Sequence, residues 1–137
     1  MELFGIEKEL TLEQKAAVVS ILIIIAKADK EVPESEIEAI EKVAHYLEFD
    51  ITHPYMQKIA IGKKAALVSI LNTLSNMQKK WLFTKIYNVI MADGIAKEIE
   101  MNFAVGFAKD LGISEDELIS IIQNEIFIET MKKNLKS

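Results

Sequence analysis

Ala28-Asp29-Lys30-Glu31-Val32-Pro33-Glu34-Ser35-Glu36 returns sixty-four residues later as Ala92-Asp93-Gly94-Ile95-Ala96-Lys97-Glu98-Ile99-Glu100. Working outward from this pair, Thr11–Leu47 aligns with Ser75–Leu111 without a gap. Identities fall at Gln14/Gln78, Lys15/Lys79, Ala28/Ala92, Asp29/Asp93, Glu34/Glu98, Glu36/Glu100, Ala44/Ala108 and Leu47/Leu111. Chance would give about two, at a match rate of ~6% per position for average composition. The chain therefore carries an internal duplication, with units near 11–47 and 75–111.

Each unit reads as helix, acidic turn, helix. Thr11-Leu12-Glu13-Gln14 and Ser75-Asn76-Met77-Gln78 fit the capping box, as does Ser114-Glu115-Asp116-Glu117 further on. Pro33 and Pro54 suit a first helical turn, and Gly62, Gly94 and Gly112 suit helix ends. The signals predict helices near 12–28, 33–48, 53–61, 64–73, 76–92, 97–111 and 115–123, with a short terminal helix near 125–134. The apolar runs in 17–25 and 86–90 show no strict alternation, so strands are rejected. The expected fold is all-α: a compact bundle of about seven to eight helices, with two pseudo-symmetric helix–turn–helix repeats in a single domain over 1–137.

Composition narrows function. Half of the 137 residues are hydrophobic and 27% are charged, the balance of a globular chain. There is no cysteine, which excludes disulfides, zinc–thiolate sites and a cysteine nucleophile. The net charge is −5 and every basic residue is lysine. Without arginine there is no bidentate reading of guanine or phosphate, and an acidic surface repels nucleic acid. The longest apolar run, Ala16 to Ala28, holds Ser20 and Lys27 and falls short of a membrane span. The first seven residues lack the basic region and cleavage site of a signal peptide, so a cytoplasmic protein without membrane insertion is expected. His45 and His53 have no partner at metal or catalytic spacing, and no phosphate-binding or nucleophile motif occurs. The expectation is no enzyme.

The acidic turns hold the candidate site. Asp29 and Asp93 each end a long helix, where the dipole disfavours an anion. At 100° per residue, Glu36 falls on the apolar arc of Ile37, Ile40, Val43, Ala44 and Leu47, while Glu34, Glu38 and Glu41 lie opposite. Glu100 likewise shares a face with Ala104, Phe107 and Leu111. An inward carboxylate needs a cation or hydrogen-bond donors. Two readings stand. In one, the aspartates cap the following helix and the glutamates take nearby N–H groups or lysine. In the other, Asp29/Glu36 and Asp93/Glu100 form oxygen sites for a divalent cation such as Ca²⁺ or Mg²⁺. The turns lack the ligand spacing of an EF-hand.

Ala26–Glu36 and Met91–Glu100, followed by Leu111-Gly112-Ile113-Ser114-Glu115-Asp116-Glu117-Leu118, resemble the TerB-like family, the tellurite-resistance TerB group. That group also includes an N-terminal domain of some membrane-anchored DnaJ-type co-chaperones. The resemblance covers roughly residues 10–124. It implies an all-α bundle whose acidic turns lie near the repeat interface and are proposed to bind divalent metal, here through Asp29, Glu36, Asp93 and Glu100. It further implies a non-catalytic module with a protein partner, in stress or tellurite resistance. One departure is Lys30, which stands where the second unit has Gly94; its ammonium is a candidate to replace a cation in the first turn.

Two groups of apolar residues complete the reading. Trp81, Phe83, Tyr87, Phe103 and Phe107 recur at helical spacing and are expected in the core. Ile126, Phe127, Met131 and Leu135 either pack on the bundle or offer a face to a partner.

Overall fold

The computed structural model describes residues 9–136, and among them every regular element is helical. Six helices follow in order: α1 (Leu12–Ala26), α2 (Glu34–Tyr46), α3 (Pro54–Leu71), α4 (Asn76–Ile90), α5 (Glu98–Asp110) and α6 (Glu115–Lys136). The first seven residues, read above for signal-peptide features, lie outside the described part.

Six, rather than seven to eight, is a correction with two causes. The predicted helices 53–61 and 64–73 are both present with their break at Lys63, as expected, and are counted together as α3. Lys63 has φ 58° and ψ −160°, a conformation that costs a side-chain-bearing residue about 1–3 kcal/mol. The neighbouring glycine is needed for another reason: a Cβ on Gly62 would lie 2.5 Å from Cβ of Ala66. The two predicted terminal helices also join, as α6, because nothing near Asn124 interrupts the helical backbone.

α1 lies at the centre. It is apolar on nearly all sides, with Ala16, Ala17, Val18, Val19, Ile21, Leu22 and Ile25 fully buried, as expected of a helix surrounded by protein. It packs against α2, α3, α4 and α5, and α6 packs on α4. Trp81, Phe83, Tyr87 and Phe107 are buried as expected, whereas Phe103 is 43% exposed. Beyond Glu125, α6 runs clear of the core, leaving Ile126, Phe127, Met131 and Leu135 exposed.

The two aligned segments share their helix lengths and end structures. α1 and α4 have 15 residues each, and α2 and α5 have 13 each. Thr11 and Ser75 both close capping boxes with Gln14 and Gln78, which explains the repeated glutamine. At the far end, Leu47 and Leu111 are the C-caps of α2 and α5. The N–H of Phe49 donates to the carbonyl of Ala44 at 2.9 Å, and that of Ile113 to Ala108 at 2.9 Å. The N–H groups of Glu48 and Gly112 donate to His45 and Lys109. These are paired Schellman endings, with Glu48 at φ 55° where Gly112 has φ 75°. Lys79 then ties the end of α5 back to α4, its Nζ 3.1 Å from the carbonyl oxygen of Leu111.

Candidate functional site

The connections α1–α2 and α4–α5 turn in the same way. The chain leaves α1 through Lys30 at φ 69° and leaves α4 through Gly94 at φ 83°. Lysine therefore does take the left-handed position in the first turn, against the steric preference of an L-residue. In both turns the aspartate side chain bonds the backbone two residues on. Asp29 Oδ1 accepts from the N–H of Glu31 at 3.1 Å, and Asp93 Oδ1 from that of Ile95 at 3.0 Å. Asp29 and Asp93 thus stabilise the turn itself and do not cap the following helix. The N-cap positions are Pro33 and Lys97, neither of which offers a side-chain cap.

Glu36 and Glu100 occupy the third helical position of α2 and α5, one turn past those caps. Pro33 has no N–H, so Glu36 cannot close a capping box. Each glutamate instead points inward, as the helical arcs predict, and each is 0% exposed. The two side chains meet, close enough to hydrogen-bond each other when one carries a proton. As carboxylates they find no donor: all four oxygens, Oε1 and Oε2 of both, are buried without a hydrogen-bond partner. The carboxylates favour the positive ends of their helices, but that gain is small beside the cost of leaving water.

The surrounding charges set the protonation. Burial pushes Glu100 up to about 8, and the negative charge of Glu36 adds to this. Burial also raises Glu36, while the bond to Glu100 and the charge of Lys97 act against the rise. Lys97, the residue before α5, reaches over to the first turn. Its Nζ lies 2.9 Å from Oδ2 of Asp29 and 3.8 Å from Oε2 of Glu36. Its bond to Asp29 holds the aspartate below the usual carboxylate range and raises the lysine above its own.

The expected lysine is therefore Lys97, from the second unit, and not Lys30, which is exposed on its turn. Sequence reasoning missed it because Lys97 aligns with Pro33 and so has no counterpart in the first unit. Asp93 is exposed and makes no ion pair with a described residue. It still adds negative charge at Glu36. The structure thus gathers Glu36, Glu100 and Asp29 around Lys97, with Asp93 on the outer side. Among the described residues no three acidic or histidine side chains converge as a ready-made metal-ligand set. His45 is exposed, and His53 is spent on α3, where its Nδ1 accepts from the N–H of Tyr55. No described helix is long and apolar enough to cross a membrane.

Glu36 and Glu100 are the residues that could offer oxygen ligands to a hard cation here, since none of their four buried oxygens has a hydrogen-bond partner, and Asp93 acts on Glu36 through its charge. Lys97 stands as the resident rival for the same negative charge.

Among protein families, the model described as tellurite resistance protein TerB matches residues 5–54, which take in the first unit and its acidic turn. No curated protein and no solved structure matches the chain.

Proposed function

Taking as premise that the chain is TerB-like over its first unit, we propose that it is a non-catalytic module whose two acidic turns jointly hold one divalent cation. The single observation behind this reading is the buried, donor-less pair Glu36 and Glu100. Such a pair is tolerated only with a counter-charge or a proton. A proton on Glu100 and the ammonium of Lys97 meet the need in the cation-free protein. A cation of the Ca²⁺ or Mg²⁺ class replaces both, with Glu36 and Glu100 as its inner ligands and Asp29 and Asp93 flanking. The two units then act as pseudo-symmetric halves of one site, instead of holding one cation each. Binding links the turn joining α1 to α2 with the turn joining α4 to α5, so occupancy is felt at the surface that a protein partner meets. A role in stress or tellurite resistance rests on the family likeness alone, and the cytoplasm as its place on the sequence reading.

The rival reading is a purely structural or protein-interaction domain, in which Lys97 is the permanent counter-ion. The ion pair of Lys97 with Asp29 favours it. Calorimetric titration with Ca²⁺, Mg²⁺, Mn²⁺ and Zn²⁺ separates the two. Saturable binding of one cation per chain, lost in Glu100→Gln and weakened in Asp93→Asn, is the expected result. An absence of binding to a folded chain, with variants that differ only in melting temperature, leaves the structural reading.

A further inference from the structure

A groove of about 670 Å³ opens between α1, α3 and α5, and none of Asp29, Glu36, Asp93 and Glu100 lines it. Its walls are apolar, formed by Ile23, Ile59, Leu67, Phe103 and Phe107 among others. Its charged lining is of one sign. Lys27, Lys63 and Lys64 line it and no carboxylate does, in a chain with 21 acidic residues against 16 lysines. Lys64 is 2.9 Å from Asp110 and lies over the Phe107 ring, whereas Lys27 and Lys63 make no ion pair with a described residue.

Two backbone features lie along this groove. Lys63 holds its place through the strained break in α3, a type of conformation that concentrates at ligand clamps. Gly106 lies in the interior of α5, where glycine is the poorest helix former after proline. Packing does not demand it, because a Cβ there would meet nothing within 4 Å. Glycine at a groove-lining position leaves a bare wall, and the space it leaves is unfilled by the chain.

We propose that the groove binds a small amphiphilic anion, with an apolar body lying between α1, α3 and α5 and a carboxylate-like head met by the lysines of its rim, Lys27 and Lys63. The size and lining match ligand pockets generally, mostly apolar with a few placed polar groups. The rim charge selects an anionic head over a neutral one. This site adjoins the first acidic turn only through Lys27, whose carbonyl accepts from the N–H of Lys30.

Decanoate and 1-decanol, each kept below self-association, are the probes. Their binding to the full chain is followed by calorimetry and by amide shift changes. Decanoate is expected to bind one per chain, shifting residues around Ile23, Ile59 and Phe107, and to bind at least tenfold more tightly than decanol. Gly106→Leu fills the groove and is expected to weaken decanoate at least tenfold without lowering the melting temperature. Should that variant misfold, Ala60→Leu, at an exposed lining position, serves instead. The double variant Lys27→Gln/Lys63→Gln is expected to reduce the decanoate preference to under threefold. Equal binding of acid and alcohol, shifts located elsewhere, or no saturable binding overturns the proposal. So does co-sedimentation with phosphatidylglycerol vesicles by a chain that ignores decanoate, since the surface would then read a membrane.

Discussion

Lys97 places its Nζ 2.9 Å from Oδ2 of Asp29, joining the start of α5 to the turn that follows α1. The contact crosses from one unit of the duplication to the other, and the same ammonium lies 3.8 Å from buried Glu36. It is thus both a fastener and a monovalent stand-in at the place where the proposed cation binds. Lys97→Met is expected to lower the melting temperature of the cation-free protein, because Asp29 and Glu36 lose their counter-charge. The same variant is expected to bind Ca²⁺ about tenfold more tightly, since a positive charge about 4 Å from the site is removed. Thermal melts with and without Ca²⁺ check both. A variant that melts early and is not rescued by any divalent cation supports the structural reading.

Stability should also respond to pH through Glu100. Its folded value of about 8 lies above the ordinary 4.5, so between these values the folded chain holds a proton that the unfolded chain has released. The stabilisation is complete below about pH 4.5 and is lost as pH rises toward 8. Asp29 acts oppositely: its lowered value gives stability that is lost as pH falls below the usual aspartate range. The melting temperature is therefore expected to peak in mildly acid solution. Glu100→Gln cannot ionise and can donate to Glu36, so it is expected to flatten the decline and to be about 1–3 kcal/mol more stable than the parent at pH 8. A parent profile flat from pH 5 to 8 contradicts the assignment.

The duplicated turns allow a comparison within one chain. Lys30 and Glu48 hold left-handed conformations that the second unit gives to Gly94 and Gly112. Lys30→Gly and Glu48→Gly are each expected to raise stability by up to about 1 kcal/mol, and Gly94→Ala and Gly112→Ala to lower it by about 1 kcal/mol. Denaturant midpoints at constant slope measure this. Changes of the same sign from Lys30→Gly and Gly94→Ala would mean that the two turns are not strained alike.

The helix starts make a further matched pair. Thr11→Ala and Ser75→Ala each remove a side-chain bond to the third helical N–H, at 3.1 Å in both cases. Each is expected to cost about 1 kcal/mol. Chemical denaturation of the two single variants checks this, and the double variant measures coupling between the caps, since Gln14 of the first also donates to Thr73 beside the second.

What was legible in the sequence was what local chemistry dictates. Capping boxes announced α1 and α4, and the arc of Ile40, Val43 and Ala44 showed that Glu36 points inward. The recurrence of that pattern at Glu100 predicted the second buried acid. What escaped was long-range. That the two glutamates meet, and that Lys97 serves Asp29, depends on how the two helix pairs dock, which no local spacing encodes. The break in α3 was legible locally. Gly62 reads as a stop, and the helical backbone does break beside it, at Lys63, while the half beyond is held by burial of Leu67 and Leu71. Phe103 was expected in the core from its spacing and lies 43% exposed, on the wall of the α1–α3–α5 groove.

Carbon-13 titration of the Glu36 and Glu100 side-chain carboxyls, with and without saturating Ca²⁺, bears most directly on the proposed site. Without cation, a carboxyl of the pair should titrate near pH 8. With Ca²⁺, the same carboxyl should stay ionised well below pH 7, because cation and proton compete for it. Titration of both glutamates near 4.5 without cation, or a high value unmoved by any divalent cation, would contradict the account.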